Sequence, residues 1–343
     1  MFQPFFTIAI TTYNRHDLLK EALTSILAQD FNDFEVLVGN DYQGDVLTRE
    51  LLGITDPRIR FINHPHNLRE VGNMNALLAA ASGRYFTWLF DDDLYEPGFL
   101  QVAHDVLLQT EMPPALFPSY KVVTGPEFLI SQRIPLGDVQ IMTGRQYLHK
   151  YFSGRLKIIS TCGLFDTVTL REKVGGVEEL CSSAIGLYSE YLFLVRCALL
   201  GRIAYVDAPF VIFRAHSGSW SECNVDLNKY LEAGQQLVRR CADVLHHPDL
   251  SADLEFDLRG ICRLHMTPFA ILCARVEIAK RNYVIRAVCR AAARVMEEVT
   301  TIHKVYVAAA GVDSYWARAA FLYMKIKSIY IVLHTFVTKP WRR

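Results

Sequence analysis

The chain has 343 residues, enough for two domains of ordinary size or one large domain with an extension. Apolar residues make up 51% and charged residues 21%, the composition of a globular chain able to bury a core. Lysine plus arginine and aspartate plus glutamate number 36 each, so no net field directs the chain towards nucleic acid.

Strand and helix patterns alternate through the first hundred residues. FFTIAIT (5–11) is a short apolar, β-branched run. DLLKEALTSILAQ (17–29) has apolar residues at 18, 19, 22, 23, 26 and 27, which is helical spacing, and Asn14 with Asp17 offers an N-cap. FEVLVG (34–39) and RIRFI (58–62) read as strands, VGNMNALLAAA (71–81) as a helix and RYFTWLF (84–90) as a strand. Repetition of strand, helix, strand predicts a parallel α/β sheet with crossover helices. Ligands of such sheets bind beyond the carboxyl ends of the strands. Thr11–Asn14, Asn40–Asp41 and Asp91–Asp93 all fall at those ends, so three distant polar clusters should converge on one edge.

Periodicity weakens over 113–145, where proline and glycine increase, and this marks a boundary between two halves of the domain. Beyond it, 186–200 reads as a helix and 202–214 as a strand, and from about 225 the chain is helical in roughly four segments. The expected organisation is a donor-binding half over 1–112, an acceptor-binding half over 113–220 and a helical region over 221–343. Eight cysteines are scattered from Cys162 to Cys289 with no C-x-x-C pair, which points to reduced core thiols rather than a zinc site or a disulfide scaffold. The N-terminal stretch has neither a basic leader nor a small-residue cleavage site, so the expected location is cytoplasmic.

Asp91, Asp92 and Asp93 follow the apolar run WLF directly and precede a Pro97-Gly98 turn. Adjacent carboxylates repel unless positive charge stands among them. A divalent cation supplies that charge, takes oxygen ligands and completes its shell with phosphate. A solvated helix-capping turn is the simpler reading of the same three residues.

The segments TIAITTYNR, LLKEALTSILAQDFNDFEVLVGND, NLREVGNMNALLAAASGRYFTWLFDDD, LREKVGGVEE and SEYLFLVRCALLGRIAYVDAPFVIFRAHSGS resemble, in this order, the family-2 inverting glycosyltransferases. The resemblance covers about residues 5–220 and implies a GT-A fold: a mostly parallel sheet flanked by helices, here with a helical C-terminal extension. It implies that Thr12 and Tyr13 line a nucleotide pocket and that Asp41 accepts from the base, typically uracil, through its carboxylate. Asn75, Asp91, Asp92 and Arg214 would complete the donor site. Asp93 and His216 would hold Mn2+ or Mg2+. The family's base position, counted back from Arg196, falls on Glu190, preceded by Ser189 where a second acid is usual. Glu178, Glu179 and Trp220 are the acceptor candidates. Thr11, Arg69 and Tyr42-Gln43-Gly44 depart from the family's proline, glycine and Asp-Gly-Ser.

The implied activity is inverting transfer of a sugar from a nucleotide-sugar, UDP being the expected nucleotide, to a hydroxyl of a carbohydrate or lipid-linked acceptor. A non-catalytic nucleotide-sugar-binding or assembly protein of the same fold is the alternative. No G-x-G-x-x-G follows the first strand, which argues against a dinucleotide-dependent oxidoreductase. From Ser314 to Arg343 there are six basic residues, many aromatic and aliphatic ones and no acid. This suits peripheral contact with a membrane surface, or packing on the same domain or on a second subunit of a homo-oligomer.

Overall fold

Strand β1 (Phe6–Thr12) is buried along nearly its whole length, as its unbroken apolar run requires of a strand covered on both faces. The computed structural model describes residues 3–124, 134–159, 162–216, 226–250, 253–280, 284–311 and 313–338. β1 pairs in parallel with β2 (Phe34–Asn40) and with β4 (Tyr85–Phe90), and β2 pairs in parallel with β3 (Ile59–Asn63). Further along the chain come β5 (Leu94–Tyr95), β6 (Ala115–Thr124), β7 (Val139–Thr143), β8 (Leu164–Asp166) and β9 (Arg202–Ala215). The nine strands form one sheet in the order β3-β2-β1-β4-β8-β6-β9-β5, with β7 paired to β9. β8 runs antiparallel to both β4 and β6, which makes the sheet mixed.

The crossovers are α1 (His16–Leu27), the short α2 (Arg49–Leu52) and α3 (Arg69–Ala80). α1 buries Leu19, Ala22, Leu23 and Ile26, one stripe at helical spacing, against the sheet. Its cap differs from expectation. Asn14 adopts a left-handed φ of 53°, and Arg15 takes the N-cap position without a side-chain cap. α3 starts two residues early, at Arg69, whose φ is 62°. That is the backbone region glycine enters freely, so a physical reason exists for the glycine the resemblance leads one to expect there. The Asn67 side chain accepts the Arg69 N–H at 2.7 Å and supports the turn. Then follow α4 (Phe99–Gln109), α5 (Gly144–Phe152), α6 (Thr167–Thr169), which runs on into a π turn, and α7 (Ser189–Arg196).

By its internal contacts the chain divides into one unit of Met1–Glu178 with Arg196–Ser219 and a second of Glu179–Val195 with Trp220–Arg343. Residues 179–195 group with the C-terminal helices in this division. Strands from both sides of residue 112 share one sheet. The second unit is helical: α8 (Leu227–Leu245), α9 (Leu254–Ala279), α10 (Val284–Ala310) and α11 (Tyr315–Thr338). Within it His265 and Glu298 form a buried pair at 2.9 Å, and Gly234 packs so closely on the His265 ring that a Cβ would lie 2.2 Å from it.

One glycine positions the edge that matters below. A Cβ on Gly39 would lie 2.0 Å from Asn73 Oδ1, and the same Asn73 amide donates to the Gly39 carbonyl at 2.8 Å. Gly39→Ala is therefore expected to lower stability by about 1–3 kcal/mol in urea unfolding, as overpacking does, and a change under about 0.5 kcal/mol would contradict this packing.

Candidate donor site

The register of the parallel strands brings the three polar clusters together. Thr12 stands opposite Asn40 across β1 and β2, and Thr11 opposite Phe90 across β1 and β4, so the ends of the three strands lie level. Asp41 then follows β2, and Asp91–Asp93 follow β4.

At the β2 end, the Asp41 N–H donates to the Thr12 carbonyl at 3.1 Å, and its Oδ1 accepts the Leu68 N–H at 2.7 Å. Burial holds the Asp41 carboxyl above its usual range, opposed by that hydrogen bond and by nearby His64 and His66. The Tyr13 and Tyr42 rings meet edge to face with centroids 5.3 Å apart, Tyr13 following Thr12 and Tyr42 following Asp41 in sequence. His64 Nε2 lies 3.0 Å from Asn73 Oδ1, which ties the 64–69 loop to α3. Asp41 is thus a carboxylate fixed by the Leu68 N–H, with its backbone tied to Thr12.

At the β4 end, the Thr12 hydroxyl donates to Asp91 Oδ2 at 2.7 Å. The Arg15 guanidinium bridges Asp91 Oδ1 at 3.2 Å and Asp92 Oδ2 at 3.1 Å. His216 Nε2 lies 3.2 Å from the same Asp92 oxygen. Asp93 is fully buried and its Oδ1 accepts the Arg214 N–H at 3.1 Å. The Arg214 side chain donates to the Asp92 carbonyl and to Glu21. Positive groups of the chain itself, Arg15 and Arg214, therefore stand among the carboxylates, the role sequence reasoning assigned to a cation.

Whether a divalent cation suits this turn depends on the donors present. Among the described residues no three His, Cys, Asp or Glu side chains form a ready cage. Asp92 and His216 nevertheless present an oxygen and a nitrogen to one place, and a cation of this class takes few protein ligands and fills its shell with phosphate and water. Of the two ligands the resemblance implies, His216 lies against Asp92, and Asp93 Oδ1 accepts the Arg214 N–H from β9.

The remaining expected residues are placed as follows. Both ends of the Asn75 amide bond Val177, donating to its carbonyl and accepting its N–H at 2.8 Å each, so Asn75 holds the glycine turn of LREKVGGVEE on α3. Arg171 of that segment reaches the last carbonyls of α3, Leu78 at 2.5 Å and Ala81 at 2.8 Å. Glu178 lies 3.5 Å from Arg196, and Glu179 accepts the Ser183 N–H at 3.3 Å. Glu190 is partly buried on the first turn of α7, in the second unit. Two residues before it, Tyr188 has a φ of 59° and ring contacts with Tyr230 and His265. Trp220 lies outside the described residues. Sequence reasoning missed Arg15, Glu21, Tyr42 as a ring partner, and Asn73. Arg15 alone had a signal, its place three residues after Thr12 in the quoted T-Y-N-R turn.

Burial, with the Asp92 charge second, raises the Asp91 carboxyl to about 6, and Arg15 and Thr12 only partly offset this. A carboxyl raised on folding lends stability at low pH and loses it as pH rises through the folded value. Asn cannot ionise, so Asp91→Asn should gain in Tm relative to the native chain between about pH 4 and pH 6.5, the difference levelling off above that. A Tm difference that stays flat or falls over that range would contradict the burial of an ionised Asp91.

Residues 7–151 match the family model described as Glycosyl transferase family 2. An uncharacterized glycosyltransferase of Haemophilus influenzae is 25% identical over 222 residues, 64% of this chain and 68% of that protein. A Campylobacter jejuni protein named GalNAc(5)-diNAcBac-PP-undecaprenol beta-1,3-glucosyltransferase is 37% identical over 93 residues, 26% of this chain and 30% of its own length. The chain thus spans about two thirds of the first relative and under a third of the second. The crystal structure of S. aureus TarS 1-349 in complex with UDP-GlcNAc has the same fold, with a TM-score of 0.60 at 16% identity over 96% of this chain and 90% of that one. The parallel strands, the acidic turn after β4 and these matches agree: residues 7–151 carry the glycosyl transferase family 2 pattern, and the chain has a GT-A-like α/β fold with a helical C-terminal region.

Proposed function

We propose that the protein transfers a sugar, with inversion, from a nucleoside-diphosphate sugar to an acceptor hydroxyl in glycan synthesis. The observation that carries this reading is the convergence of Asp41, the Tyr13–Tyr42 pair and the Arg15-bridged acidic turn on one sheet edge. A pyrimidine base offers an imino N–H to Asp41 and a π face to the tyrosines, which favours uridine. Asp91 and Asp92 then face the ribose and diphosphate side. Arg15 gives the departing diphosphate a positive partner by letting go of the carboxylates it bridges. A divalent cation, Mn2+ or Mg2+, drawing on Asp92 and His216 would offset the same developing charge.

Glu190 is the acceptor-side base in this reading. A carboxylate within hydrogen-bond reach of the acceptor hydroxyl takes its proton as the oxygen attacks the anomeric carbon. The bond to the diphosphate breaks in the same displacement, and the configuration inverts. The Campylobacter relative is named for a PP-undecaprenol substrate, which favours a lipid-linked acceptor here and so work at a membrane face.

A thermal-shift screen of nucleoside diphosphates tests the donor side. UDP should raise Tm more than GDP, ADP or CDP, and Asp41→Ala should remove that preference; equal shifts for all four would overturn the uridine assignment. With Mn2+ present the UDP shift should grow, and Asp92→Asn and His216→Ala should lose the increment. Retention in both but loss in Asp93→Asn would return the cation to Asp93. Glu190→Gln should transfer at least about a hundredfold more slowly with UDP binding intact, as loss of a general base does. More than a tenth of native transfer in that variant would remove Glu190 as the base. UDP binding with no turnover under any acceptor would leave a non-catalytic binding protein.

A further inference from the structure

We propose that the outer face of α11 docks on an anionic lipid surface, with the helix lying along it. The inner face carries Ala317, Phe321, Met324, Val332 and Phe336, all buried, and seats α11 on α9 and α10. Opposite stand Trp316, Tyr323, Ile326, Tyr330, Leu333 and Val337, spaced by seven, three, four, three and four residues and therefore on one line along the helix. They are open to solvent: Trp316 is 69% exposed, Ile326 62%, Tyr330 64% and Val337 81%, whereas Phe321 is 2% and Val332 0%. The stripe runs roughly 30 Å at the helical rise per residue. Contiguous apolar surface on this scale marks an interaction site rather than a scatter of exposed side chains.

Charge decides the occupant. Between Ser314 and Arg343 every charged residue is basic. At 100° per residue Lys327 borders the stripe on one side, while Leu322 flanks its other edge and Arg318 and Lys325 lie farther round the helix beyond it. Arg318 is paired with Asp313 at 2.7 Å, and Lys325 and Lys327 make no ion pair among the described residues. A second copy of the helix would set lysines against lysines with no carboxylate to meet them. It would also enclose the Tyr323 and Tyr330 hydroxyls and the Trp316 N–H in an apolar seam. A lipid headgroup layer answers each of these points, with phosphates for the lysines, water and ester oxygens for the aromatic polar tips, and acyl chains for Ile326, Leu333 and Val337. Although α11 is long and apolar enough to cross a membrane, its buried inner face keeps it at the surface. The inference deepens the lipid-linked acceptor reading, and its physical basis is independent of the donor site.

Flotation of the full chain tests it, on vesicles of phosphatidylcholine alone and on a three-to-one mixture with phosphatidylglycerol. The native chain should float with the mixed vesicles at least tenfold more than with phosphatidylcholine, and high salt should weaken this. Lys325→Glu/Lys327→Glu should float several-fold less. Ile326→Glu/Tyr330→Glu, changes confined to exposed positions, should stay at the bottom with native circular dichroism. Flotation of that variant equal to the native chain would overturn the proposal, as would a native chain that never floats. A native dimer in sedimentation equilibrium, split by Ile326→Glu/Tyr330→Glu and indifferent to vesicles, would overturn it in favour of a second copy. A UDP thermal shift on each variant separates the two readings. Loss of the shift in the native chain removes the donor assignment alone, and loss of flotation with the shift intact removes the lipid surface alone.

Discussion

Three consecutive carboxylates at the end of a buried strand repel one another, and the fold of the first unit offsets that repulsion with groups from two other segments. Thr12 and Arg15 arrive from the β1–α1 turn and take Asp91 and Asp92. Arg214 and His216 arrive from the end of β9 and take the backbone and side chains of Asp92 and Asp93. The parallel register makes this possible, because Thr12, Asn40 and Phe90 end their strands at the same level. An isolated surface ion pair contributes little, whereas a buried network of charges strongly fixes geometry when every member is paired. The acidic turn belongs to the second kind, and its position is a property of the sheet.

The proposed donor sets its diphosphate against the same turn. A guanidinium shared between two carboxylates can turn to a phosphate without moving the backbone that carries it, and Arg15 sits at the helix N-terminus, where donors already face anions. Asp41 is separate from this exchange. Its carboxylate is set by the Leu68 N–H and its backbone by Thr12, so it offers a fixed acceptor a strand away from the charged cluster. One edge thus holds a single fixed carboxyl at one end and the cluster of paired charges at the other.

Much of this was legible in the sequence, and what was not has a physical cause. β1, β2, β4 and α1 announce themselves by apolar runs and helical spacing, and the polar residues at their ends follow from strand direction. Long-range contacts leave no periodic mark. Nothing local shows that Asn75 clamps Val177 across 102 positions, or that His216 meets Asp92 rather than Asp93. β5 and β8 are two and three residues long, too short for alternation to show. The affiliation of 179–195 with the C-terminal helices rests on contacts such as Tyr188 with His265, which only the folded chain brings together. The left-handed turns at Asn14 and Arg69 were hidden because neither is glycine. α11 was read correctly as basic and aromatic, but only the structure separates its buried face from its open one.

The central claim is that three segments far apart in sequence form one nucleotide-diphosphate site. Amide hydrogen exchange of the full chain with and without UDP measures all three at once. Added UDP should slow exchange together at 12–16, 40–42 with 66–69, and 91–94, and leave the helices of the second unit unchanged. Protection of only one of these segments, or protection elsewhere with none at the β1, β2 and β4 ends, would contradict the site.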